Sequence, residues 1–245
     1  MSLIGKIVIT LSLFAIMIGS VSCTDKSTQN MFNLYEPTDT FPLTSGSWWH
    51  YEGFIELANP SDSIYSDTFD LEIHRAVLGP ATGYPDGLIA RDDTIIINFG
   101  YALDTTICRK LINIEDDKLK IFASGCAPAG HPLYTNELDI PITLLDFPLD
   151  DEKTWSNDIG YGHHENFSVV GAEYMDVGTG WSVCDVLYSD VVDDSAGEIH
   201  SSTYKWYNDD GLMRFQSMNR TDFGGDPPGG TQLFKEFRVV DKHIH

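Results

Sequence analysis

At 245 residues, with 42% apolar and 12% aromatic content, the chain is long enough to bury a sizeable core and too apolar to stay disordered. Its 37 acidic residues outnumber 15 lysines and arginines, for a formal charge of −22. That balance argues against nucleic acid as a partner and against a polybasic approach to anionic lipid, since phosphates would be repelled. It favours solubility and leaves cation binding open.

The first 23 residues, MSLIGKIVITLSLFAIMIGSVSC, have the order of an export signal. Lys6 supplies a basic start, Ile7 to Ile18 an apolar middle, and Gly19, Ser20 and Ser22 a zone of small residues before Cys23. The apolar run is shorter than the roughly 20 residues of a spanning helix. A cysteine directly after the small residues resembles a bacterial lipoprotein signal, with Ser20 where that family usually has Leu. The resemblance implies a signal peptide over 1–22 and acylation of Cys23, which would hold the protein on a membrane of the bacterial cell envelope. An ordinary cleaved signal and a retained anchor are the other readings. Residues 23–40 are polar, without period, and read as a tether. A β domain is expected over 41–245.

From Phe41 onward the pattern is strand after strand. Trp48 to Leu57 is rich in aromatics, and Thr68 to His74 alternates so that Phe69, Leu71 and Ile73 share a face. Leu78 to Gly87, with Gly79, Pro80, Gly83 and Pro85, reads as a loop. Thr94 to Phe99 is a short apolar run. TTICRKLINI and KLKIFASGC flank Glu115-Asp116-Asp117 as a hairpin, and Ala127 to Pro132 is a further loop. Ile140 to Leu149, with two prolines, reads as an edge or connecting segment. His164 to Val170, Trp181 to Val192, Ile199 to Tyr207, Leu212 to Met218 and Gln232 to Val240 complete the strands. Asp209-Asp210-Gly211 is a turn signal, and Gly224 to Gly230 is a long turn. The spacing predicts an all-β antiparallel domain of about 10–13 strands, a large curled sheet as a half-barrel or a two-sheet sandwich. Phe41-Pro42-Leu43 leads to Trp48, and Phe147-Pro148-Leu149 leads to Trp155. This echo raises two related halves, about 41–146 and 147–245.

Three cysteines follow Cys23. Cys108 and Cys126 flank the hairpin and could form a disulfide, which an exported location permits; a one-residue register slip would part them. Cys184 lies in a strand with no plainly polar side, Trp181 to Tyr188, and reads as a buried structural thiol.

FPLTSGSWWHYE resembles the opening of a domain found in uncharacterised bacterial cell-envelope lipoproteins, where Phe-Pro-Leu, a Gly and Trp-x-Tyr begin the first strand. GTGWSVCDVLY, from Gly178 to Tyr188, is similar to that group's Gly-x-Phe-x-Cys-x-Val segment, with Trp181 in place of Phe and one extra residue before Cys184. TYKWYNDDGLM, from Thr203 to Met213, resembles its Tyr-rich strand. The likeness carries no catalytic residue. In style the group is similar to curved-sheet envelope lipoproteins that hold apolar ligands.

His163-His164-Glu165 is the most site-like cluster, but adjacent strand residues point to opposite faces, so a solvated strand end is the simpler reading. His243 and His245 would share a face, at what reads as a terminal tail. The acidic clusters Asp92-Asp93, Glu115-Asp116-Asp117, Asp150-Asp151-Glu152, Asp193-Asp194 and Asp209-Asp210 fall at predicted turns and match no calcium loop. Nucleophile-elbow, dinucleotide and phosphate-loop motifs are absent from the sequence. No catalytic residue, metal or cofactor is therefore assigned. Of the Trp48-Trp49 pair, one must face each side of a strand. Three functions are carried forward. The first is a non-enzymatic lipid-anchored envelope protein whose β domain binds a ligand or a partner. The second is an exported carbohydrate-active or carbohydrate-binding protein. The third is a carrier of an apolar molecule in a cavity lined by residues such as Phe69, Ile73, Ile96 and Val183.

Overall fold

The computed structural model describes residues 41–58, 66–85, 87–160, 162–193, 199–223 and 229–245, all within the unit Pro37–His245. The signal over 1–22, Cys23, the tether to residue 40, Asp194 and residues 224–228 of the long turn lie outside them. Twelve antiparallel strands form one sheet. They are β1 (Trp48–Ala58), β2 (Ser66–Pro80), β3 (Ile89–Asn98), β4 (Leu103–Glu115), β5 (Lys118–Pro128), β6 (Asn136–Asp146), β7 (Thr154–Gly160), β8 (His163–Asp176), β9 (Trp181–Asp193), β10 (Ile199–Asn208), β11 (Gly211–Phe223) and β12 (Gly229–His243). The order is β6-β5-β4-β3-β2-β1-β12-β11-β10-β9-β8-β7. Every consecutive pair of strands except β6 and β7 is therefore hydrogen-bonded, and the first pairs with the last. The result is a nearly closed up-and-down barrel whose one open seam lies between β6 and β7.

Alternation explains the wall. Leu71, Ile73 and Val77 of β2 are buried while Glu72 and His74 between them are half-exposed or exposed, the period-two pattern of a strand with one face on the core. The turns obey their sequence. Asp116 and Asp117 adopt φ of 52° and 59°, the left-handed pair that a two-residue hairpin turn needs and that Asp tolerates. Two loops are shorter than the sequence suggested, because β2 continues to Pro80 and β5 to Pro128. Gly79, at φ 107°, sits at a bulge in the β2–β3 register; a glycine that reads as a loop breaker is here an irregularity within a strand.

The two Phe-Pro-Leu segments occupy equivalent settings. Phe41 and Phe147 are both buried. The matching tryptophan is Trp49 rather than Trp48, so both segments space phenylalanine and tryptophan alike. Val77 accepts from Gly46 N–H at 2.9 Å and donates to Ser47 O at 2.9 Å; Val169 accepts from Glu152 N–H at 3.1 Å and donates to Lys153 O at 2.9 Å. Gly46 and Glu152 both have positive φ, 92° and 67°. The β8–β9 register shifts at Val169/Gly171 as the β2–β3 register shifts at Val77/Gly79.

A side chain bridges the seam. Asn157 of β7 is buried; its Oδ1 accepts from Thr143 N–H at 3.0 Å and its Nδ2 donates to Thr143 O at 2.8 Å. Its carboxamide thus takes the place of a strand peptide opposite β6. Trp155 Nε1 also donates to Thr143 O, at 3.3 Å. Lys153 Nζ adds donations to Phe147 O at 2.8 Å and Pro148 O at 3.1 Å.

Candidate binding cavity in the barrel interior

An eight-stranded barrel is about filled by its own side chains, and more strands widen the interior. Here twelve strands leave a cavity of about 250 Å³. Its walls come from inward positions spaced two apart: Ile73 and Arg75 on β2, Arg91, Asp93 and Ile95 on β3, Lys205 and Tyr207 on β10, Lys235 and Phe237 on β12, together with Lys110 of β4 and several Leu and Phe side chains.

The charge is the unusual part. Five cations line this space against one lining carboxylate, Asp93. They are a third of the 15 lysines and arginines in a chain of net charge −22. Arg75 holds Asp93 through Nε–Oδ1 at 2.7 Å and Nη2–Oδ2 at 3.2 Å. Its ring-facing side lies over Tyr51, 5.3 Å from the centroid. Arg91, buried, reaches Asp93 only at 3.7 Å, and its Nε has no hydrogen-bond partner. Arg91 and Lys110 stand directly opposite each other across β3 and β4, a like-charge pairing that destabilises a sheet. Lys205 Nζ lies over the Phe167 ring at 5.2 Å.

The titration behaviour follows from this crowding. Burial and then neighbouring Arg91 pull the Lys110 ammonium down to about 8, with Asp93 opposing. Burial lowers Lys205 and Lys235 as well, although Glu165 works against this at Lys205. Burial followed by the charge of Arg75 also lowers Arg91. Burial would raise the Asp93 carboxyl, but Arg75 and then Arg91 outweigh it and hold it well below the ordinary carboxylate range. Buried Tyr51 and Tyr207 are both pushed up to about 12, chiefly by desolvation.

The sequence reading placed Asp92-Asp93 at a solvated turn. Both instead lie inside β3. Asp93 faces the cavity and Asp92 the outer wall, where Arg109 Nε and Nη2 each reach it at 2.7 Å. The sequence held a signal for the interior cations: Arg75 occupies the apolar phase of Leu71-x-Ile73-x-Arg75-x-Val77, where a surface arginine should not be. Of the residues expected to line an apolar cavity, Ile73 does; Phe69, Ile96 and Val183 are not among the lining side chains.

The other candidates are dispersed. Cys108 and Cys126 are register partners on β4 and β5 and are joined by a disulfide, with Cα atoms 4.1 Å apart. Cys184 is fully buried. His163 and His164 open β8, half-buried and each engaged with its surroundings. The chain end is docked: the His243 and His245 rings meet edge to face at 4.5 Å, and His245 N–H donates to Ser47 Oγ. Trp49 and Trp206 are core, whereas Trp181 is 66% exposed and stacks on exposed Tyr174. No family model matches the chain, and no curated protein matches it significantly.

Proposed function

We propose that this protein is a non-enzymatic binding protein whose barrel interior takes a small anion with an apolar body, such as a medium-chain carboxylate. The observation that carries this reading is the surplus of inward-facing cations around the cavity, Arg75 and Arg91 buried and Lys110, Lys205 and Lys235 half-buried. Taking a charge out of water costs several kcal/mol per ion unless a counter-charge is present, and Asp93 cannot neutralise five cations. An anion seated among Arg91, Lys110 and Lys205 would relieve that imbalance, while Phe41, Ile95 and Phe215 would cover its apolar part. At about 250 Å³ the cavity lies just below the ~300 Å³ at which ordinary ligand pockets begin, so the ligand is small. This modifies the apolar-carrier reading: the walls call for a charged head. The sequence of residues 1–23 supports a setting on a bacterial envelope membrane, held by an acyl chain on Cys23, with the barrel as the ligand-binding part.

Calorimetric titration with octanoate and with octanol tests the proposal. Octanoate should bind one per chain, at least tenfold tighter than octanol, and Lys110→Met should weaken octanoate alone. Equal affinities for the acid and the alcohol, or no binding of either, would overturn it.

A further inference from the structure

On the outer face of the barrel wall, β1 and β2 bring two histidines and a glutamate together. His50 and His74 are direct register partners. Glu72 lies two residues before His74 and so shares its face. The imidazoles stack with centroids 4.4 Å apart and planes 13° from parallel. Both converge on one carboxylate oxygen: Glu72 Oε1 is 3.0 Å from His50 Nε2 and 2.6 Å from His74 Nε2. The His50 Nε2 atom is buried, yet it makes no hydrogen bond of acceptable geometry. All three ligand atoms lie within 4.8 Å of one another.

We infer that His50, Glu72 and His74 form a binding site for a divalent transition-metal ion of the zinc class. Zinc bonds of ~2.0–2.1 Å in tetrahedral array put ligand atoms about 3.3 Å apart, wider than the 3.0 and 2.6 Å separations seen here, so side-chain rotations that spread the three atoms by under ~1 Å would admit the ion. Two imidazoles select a borderline ion over calcium or magnesium, which take oxygen ligands. Glu72 and His74 are 42% and 48% exposed at their side chains, which leaves room for water to complete the coordination. The ladder of β1 and β2 holds the ligands on rigid backbone, and the site is independent of the interior reading.

Titration of the full chain with zinc sulfate, and with cobalt(II) as a chromophoric substitute, tests the inference. One ion should bind per chain, and cobalt should give the visible absorption of a four- or five-coordinate nitrogen–oxygen site. His74→Ala and Glu72→Gln change half-exposed residues and should fold. Each should lose more than the ~10–100-fold that removal of a merely supporting contact costs, while His243→Ala with His245→Ala should leave affinity unchanged. Absence of saturable binding, or binding that follows His243 and His245 instead, would overturn the assignment.

Discussion

Arg75 and Asp93 face each other across β2 and β3, with two hydrogen bonds at 2.7 and 3.2 Å, inside the barrel. Each is at most 9% exposed. Removing one partner of a buried pair leaves a bare charge, at about 3–5 kcal/mol. Asp93→Asn should therefore lower unfolding stability by that amount in urea titration, and a loss under ~1 kcal/mol would contradict a buried pair. The pH dependence has a definite sign. The Asp93 carboxyl is held below its ordinary value of 3.8, so its contribution is complete above that value and is lost as pH falls toward the folded-state value. Thermal unfolding of wild type should weaken below pH ~4 by more than that of Asp93→Asn.

With an anion in the cavity as proposed, Lys110 would link its binding to protons. Its ammonium titrates at about 8, depressed first by burial and then by Arg91. A bound anion favours the charged form and raises that value. At pH 6 Lys110 is already protonated, so binding of octanoate should take up almost no protons. At pH 9 wild type should take up protons on binding octanoate and Lys110→Met should take up fewer, and affinity should fall as pH rises past 8. Calorimetry in two buffers of different ionisation heat reads this number directly. A proton count near zero at pH 9 would rule Lys110 out of the site.

The seam depends on Asn157. Replacing it with leucine removes both Asn157 bonds to the Thr143 peptide; the part-buried N–H is left unpaired while the C=O keeps its bond from Trp155 Nε1, a loss of about 1–3 kcal/mol. The Thr143 amide should also exchange with solvent markedly faster while amides of the β1–β12 ladder stay protected. Unchanged exchange at Thr143 would mean that the seam is closed by other contacts.

Cys184 should be inert. It is fully buried, and its thiol is pushed up to about 12 by desolvation, with Lys242 opposing. Asp185, on the other face of the strand, is equally covered. A thiol reagent should label Cys184 only after unfolding. Cys184→Ser should cost roughly 1–3 kcal/mol through the buried hydroxyl, and octanoate binding in the folded fraction should not change. Rapid native labelling would refute this.

The strands were legible in sequence because period-two alternation and turn residues are local. Leu71-Glu72-Ile73 and Asp116-Asp117 carry their structure within a few residues. The all-β class, the antiparallel order and the phase of Arg75 all follow from that short range. Closure did not: whether β1 meets β12 depends on the summed twist and tilt of twelve strands, which no single strand encodes. Nor could the sequence show that Asp93, read as a turn residue, would find Arg75, since that pairing needs β2 and β3 in register. The two sites arise the same way. Lys110 and Lys205 are brought to one cavity, and His50 to His74, only when the sheet curls and pairs; side-chain chemistry is written residue by residue, but the distances that make it a site belong to the tertiary fold.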